Sequence, residues 1–158
     1  MNRYRWRRRA EAVAGGAVGT AMMTLSLAVQ SKLRPDVDGP IDYDASDHVV
    51  VAASKVVHWN PRSPAGRRVL FNVVHWGYGS VVALEYERFR RLLDNEPAAA
   101  AAFFVACQGM ACTLFPVLGG TPPPWRWRRD VLLTSMGQHA LYAAAVAVTS
   151  HEFRKRRG

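Results

Sequence analysis

Three stretches of the chain run without a charged residue for as long as a membrane crossing requires: 12–31 with 20 residues, 97–125 with 29 and 131–150 with 20. At about 1.5 Å of rise per residue, 20 helical residues cover roughly 30 Å, the hydrocarbon thickness of a bilayer. A fourth stretch, Val69 to Leu84, has 16 uncharged residues and falls short of that thickness. Its flanks can supply the difference, because Arg67 and Arg68 at one end and Arg88 at the other have stems long enough to snorkel, with Glu85 at headgroup level. The pattern predicts spans over about 12–31, 67–86, 97–119 and 131–150. Between the first two, Val49, Ala52, Ala53, Val56 and Val57 recur at helical spacing behind a Ser46 or Asp47 cap. That predicts an interfacial amphipathic helix over about 46–58, too short to cross. The expected fold class is all-α: an integral membrane four-helix bundle in one domain, with that interfacial helix beside it.

Local chemistry marks the ends of these elements. The five arginines between Arg3 and Arg9 precede the first apolar stretch, which is how a signal peptide begins, and Ser26 and Ala28 are small enough for cleavage after Ala28. The stretch is longer than the usual apolar core of such a peptide, and Gly15 and Gly19 form a GxxxG pattern that suits close helix packing in lipid, so a retained span is expected. Pro97 fits a first helical turn, Gly119 and Gly120 end the third span, and the Thr121–Pro124 run cannot continue it. Trp125 and Trp127, among Arg126, Arg128 and Arg129, read as an interfacial aromatic belt. The polar stretch 32–68, with Asp36, Asp38, Asp42, Asp44 and Asp47, is the one long aqueous loop.

Composition changes this picture little. The mean hydropathy of −0.08 looks soluble only because it averages apolar spans with charged caps. Charged residues make up 21% of the 158, so scattered charges leave any 20-residue window charge-free only about 1% of the time. The net charge of +9 suggests nucleic acid in a soluble protein, but the basic residues lie beside the apolar spans, where anionic headgroups attract them, and no aromatic-basic binding motif is present. The expected partner is the lipid bilayer, with a protein partner or a second copy of the chain as a further one, and not nucleic acid. Twelve Lys and Arg residues fall at the two termini and between the second and third spans, against nine in the two opposite loops. The bias predicts a multi-pass membrane protein with both termini in the cytoplasm. Cys107 and Cys112 share one span, about 140° apart around a helix, and are not expected to pair with each other.

Polar residues inside spans are the remaining signal. Asn72, His75 and Tyr78 line one side of the second span, Gln108 lies in the third, and Gln138, His139 and Tyr142 form a stripe on the fourth. Such groups are costly in lipid, so the stripes are expected to turn inward and hydrogen-bond across helices, with His75 and His139 facing each other near mid-membrane. A proton or substrate path is the alternative reading, and ligation of haem or metal by the two histidines is a third. Two histidines without further ligands at suitable spacing make a weak metal signal, so no metal or other cofactor is expected. Nucleophile motifs, phosphate loops, zinc-protease signatures and paired-carboxylate constellations are absent, and no catalytic residue is assigned. Glu85 and Glu87 read as solvated residues at a span end, and His151 as a headgroup-level cap.

The run Phe115-Pro116-Val117-Leu118-Gly119-Gly120-Thr121-Pro122-Pro123, followed by Gly137-Gln138-His139, resembles the YagU-like group of bacterial inner-membrane proteins. The His75-Trp76-Gly77-Tyr78-Gly79 run and the Gly-rich start, Gly15 to Thr20, are similar to what related small membrane proteins show; the loop 32–68 does not match. The resemblance implies a small helical inner-membrane protein and brings no established activity, cofactor or catalytic residue. The expected function is therefore that of a non-enzymatic accessory or stress-related membrane protein, with a small transporter or proton-conducting protein as the alternative.

Overall fold

A computed structural model of the chain describes residues 3–33 and 46–157. The loop positions Asp36, Asp38, Asp42 and Asp44 lie outside the described residues. Among the described residues five α-helices follow one another: α1 (Arg3–Leu33), α2 (Ser46–Val57), α3 (Pro64–Leu93), α4 (Glu96–Leu114) and α5 (Arg129–Lys155). The termini of these helices follow from local chemistry. Ser63 caps α3 by accepting from the Gly66 N–H, with Pro64 in the first turn, where its missing N–H costs nothing. Asn95 caps α4 in the same way on Ala98, and Asp94, at φ 46°, makes the left-handed turn that joins α3 to α4. Beyond α4, Pro116 cannot donate to the helical ladder, and Phe115–Gly119 widen into a π-helical turn that Gly120 closes at φ 74°.

The four long helices touch in a ring. α1 lies along both α3 and α5, and α4 completes the circuit against the same two; α3 and α5 meet only slightly across the middle. The main core consists of Ala83 and Tyr86 from α3, Ala99, Phe103 and Cys107 from α4, and Tyr142, Ala143 and Val146 from α5. Phe103 is its centre, with the Tyr86 ring 5.7 Å away edge-on and the Tyr142 ring at 5.8 Å. Both cysteines are free, as their spacing implied.

On its other two faces α1 substitutes closeness for bulk. Ala12, Gly16 and Thr20 recur every fourth residue toward α3, where Gly79 and Ser80 meet Gly16 and Gly79 meets Thr20. A methyl placed on Gly16 lies 2.6 Å from the carbonyl oxygens of both Gly79 and Ser80, so backbone meets backbone there. Gly15 and Gly19 point instead toward α5: a methyl on Gly19 comes within 2.7 Å of the Tyr142 ring, whereas one on Gly15 meets Thr149 at an ordinary 3.8 Å. The tight α1–α3 crossing thus belongs to Gly16, the neighbour of the expected GxxxG pair.

Two expectations at the π-turn end need correction. α2 forms over nearly the predicted range, but its apolar face is not left for lipid alone. Val50 and Ala53 are buried with Leu70, packed against Phe71 and Val74 of α3, and the His48 carbonyl approaches Gly119. Protein contact wins because α3 extends to Pro64 and offers a complementary apolar surface at that level; Val56 and Val57 remain exposed. Nor do the two tryptophans form a belt together. Trp125 is exposed, but Trp127 folds back, donates from Nε1 to the Pro122 carbonyl at 2.7 Å and packs on Val131. The proline run turns the chain sharply enough to bring that carbonyl within reach.

Candidate functional site

Each polar residue singled out in the spans has a definable partner, and the partners distribute in an orderly way. Between α1 and α3, Thr24 Oγ1 lies 3.0 Å from His75 Nε2 and 2.8 Å from the Thr20 carbonyl of its own helix. His75 is further held by stacking on Phe71 at 5.0 Å. Between α1 and α5, the buried Gln138 donates from Nε2 to Gln30 Oε1 at 2.9 Å and to Ser26 at 3.3 Å. Between α4 and α5, Ser135 donates to Gln108 Oε1 at 3.3 Å. Between α3 and α4, the Tyr78 hydroxyl reaches Met110 Sδ. Across the middle, the Tyr142 hydroxyl donates to the Gly79 carbonyl. One polar clasp therefore serves each adjacent pair of long helices, and one serves the diagonal.

Three positions depart from the inward-facing stripes. Asn72 is exposed and donates to the Arg68 carbonyl of its own helix, and Tyr78 keeps 46% of its surface exposed. His139 spends Nδ1 on the Ser135 carbonyl one turn away. His75 and His139, expected to face each other, make no hydrogen bond or ring contact with one another, and each bonds elsewhere. The reason is the ring order of the helices, which puts α1 beside α3 and hands His75 to Thr24. Among the described residues no group of three His, Cys, Asp or Glu side chains is placed to hold a metal.

The strongest polar site was not legible as one. At the end of the ring opposite α2, the termini of α1 and α5 and the turn between α3 and α4 come together around Glu87, whose side chain is 13% exposed. Ser150 donates to its Oε1 at 2.6 Å, Arg8 approaches Oε2 at 3.2 Å, and Arg90 and Arg154 each stand at 3.6 Å. Arg154 also pairs with Glu96, which accepts from His151 at 2.9 Å, and Arg157 meets Glu11 at 2.9 Å. Burial alone would raise the Glu87 pKa, but the Ser150 hydrogen bond and the Arg90, Arg8 and Arg154 charges outweigh it and hold the carboxyl below its usual 4.5. Glu87 is thus not a solvated residue, and His151 is a partner of Glu96. The available signal was the charge at the N-terminal end of α1, the C-terminal ends of α3 and α5 and the start of α4, which an even number of helices running back and forth brings to one side.

These clasps carry small energies individually. Tyr142→Phe removes the α5–α3 bond while keeping the ring against Phe103, and is expected to lower stability by about 0.6 kcal/mol, the average of measured interhelical bonds. Unfolding in a mixed-detergent titration would read the difference. No family model, no curated protein and no solved structure matches the chain.

Proposed function

We propose that the chain is a four-span integral membrane protein of the inner membrane that acts as a non-enzymatic accessory factor, its helix order fixed by the polar clasps and both termini in the cytoplasm. α1, α4 with the π-turn, and α5 are each long and apolar enough to cross a membrane. The observation that carries the fourth span is the girdle of exposed apolar side chains. Leu25 and Val29 on α1, Val105 on α4, and Leu133 and Val148 on α5 present apolar surface outward. On α3 so do Val69, Val73, Trp76 and Val81, between Arg68 and Glu85. A surface so continuously apolar is a liability in water and the ordinary exterior of a helix in lipid. Each of the seven polar residues singled out in the spans bonds another helix or a carbonyl of its own, which supports an accessory role over transport. A kinship with the YagU-like proteins accords with that reading.

Topology tests the span count. Single cysteines near Arg90 and at Arg156, in a background with Cys107 and Cys112 replaced, are expected to label only from the cytoplasmic side, and one at Arg126 only from the opposite side. Labelling of Arg90 and Arg126 positions from the same face would leave α3 and α4 without the opposed directions that four spans require. Proton flux into protein-containing liposomes, measured with an internal pH dye, separates the conducting alternative: the accessory reading expects the leak of empty vesicles.

A further inference from the structure

The charged end of the ring holds more than the Glu87 network. A groove of about 490 Å³ opens there between α1 and α3, lined by Arg5, Arg8 and Arg9 from one helix and Glu85, Glu87, Arg88 and Arg91 from the other, over Ala12 and Leu84. A volume of that size suits a small-molecule group. Five guanidiniums share it with two carboxylates, a formal excess of three positive charges. Part of that charge is already answered: Arg8 reaches Glu87, and Arg88 forks onto Glu85 at 3.0 and 3.2 Å. Arg91 spends Nε on the Glu87 carbonyl one turn back, which fixes the arm. Arg5 and Arg9 are exposed, with no ion pair among the described residues. Convergent guanidiniums repel one another, and a phosphate, which accepts two parallel N–H bonds from each fork, relieves that repulsion best.

We propose that this groove binds the phosphate headgroup of an anionic phospholipid. The choice of a lipid over a free phosphate rests on where the groove sits and on the membrane reading above. Ala12 and Leu84 give it an apolar floor, and from that floor the exposed Val81 of α3, one turn before Leu84 on the same face, continues toward the apolar girdle, so a headgroup held by the arginines has a surface along which to lay its chains. Basic pockets between helices at the cytoplasmic membrane surface are places where such headgroups lodge.

Native mass spectrometry of the full chain, released from nanodiscs of equal phosphatidylglycerol and phosphatidylcholine, tests this directly. One phosphatidylglycerol is expected to remain bound per chain. Arg9→Gln with Arg91→Gln should weaken its retention roughly thirtyfold. Arg126→Gln with Arg129→Gln, at the opposite end, should leave it unchanged. Leu84→Trp, which fills the floor without altering charge, should also displace the lipid. Equal retention in the Arg9/Arg91 pair and the wild type would overturn the proposal, as would displacement of the lipid by millimolar inorganic phosphate, which would make the ligand a free anion. Alkaline carbonate extraction keeps the two readings apart: release of the wild-type chain from membranes would sink the membrane assignment, whereas a chain that stays embedded yet retains no phosphatidylglycerol would sink the headgroup site alone.

Discussion

Replacing Gly16 by alanine is expected to destabilise the protein by about 2–3 kcal/mol, the cost of overpacking a close-fitted contact. The added methyl would stand 2.6 Å from two carbonyl oxygens and 2.8 Å from the Ser80 Cα, all backbone atoms of α3. No rotamer change clears them, so α1 has to withdraw by about half an ångström or more, and dispersion contacts along the whole seam weaken with it. The Thr24–His75 and Gln138–Gln30 clasps lie further along α1 and lengthen in the same movement. Gly77→Ala and Gly137→Ala are the controls, since nothing lies within 4 Å of a methyl at either position. Both should be neutral or slightly stabilising, because alanine is the better helix former. Loss of helicity against denaturing detergent reads all three, and a Gly16→Ala protein as stable as the Gly77→Ala one would mean that α1 and α3 do not cross where the small residues meet.

The second large effect concerns Glu87. Glu87→Gln keeps the size of the side chain and a hydrogen bond with Ser150 but leaves Arg8, Arg90 and Arg154 gathered around a neutral group. Breaking one side of a largely buried charge cluster in this way is expected to cost about 2–3 kcal/mol, and to loosen all four helix ends together. The same carboxylate sets an acid limit. Its pKa in the folded chain lies below 4.5, so the unfolded chain binds the proton more readily, and the stabilisation is complete above 4.5 and is lost as pH falls from there through the folded value. A pH titration of detergent-unfolding midpoints should show that decline in the wild type. In Glu87→Gln the decline should be shallower, the three arginines keeping their charge throughout.

The sequence by itself determined the elements. Charge-free length predicted α1, α4 and α5, Pro97 and the Ser46 cap marked helix starts within a residue or two, and an even number of long helices running back and forth predicted that the two basic helix ends lie on the side of the α3–α4 turn, where Arg8 and Arg154 both meet Glu87. These properties are local or additive: a run of apolar residues buries its backbone polar groups as a helix whatever stands next to it, and the parity of helices that run back and forth is a matter of counting. Azimuth and neighbour were decided by the tertiary structure. Gly15 and Gly16 differ by about 100° of rotation, and only the order of helices around the ring turned the second toward α3 and the first toward α5. The same order gave His75 to Thr24 of α1 and not to a polar residue of α4 or α5, drew Glu87 under three arginines from three helices, and set α2 against α3. A polar or small residue in a span announces that it needs a partner; which partner it obtains depends on contacts between segments far apart in sequence, where no periodicity in one segment carries information about the rotation of another.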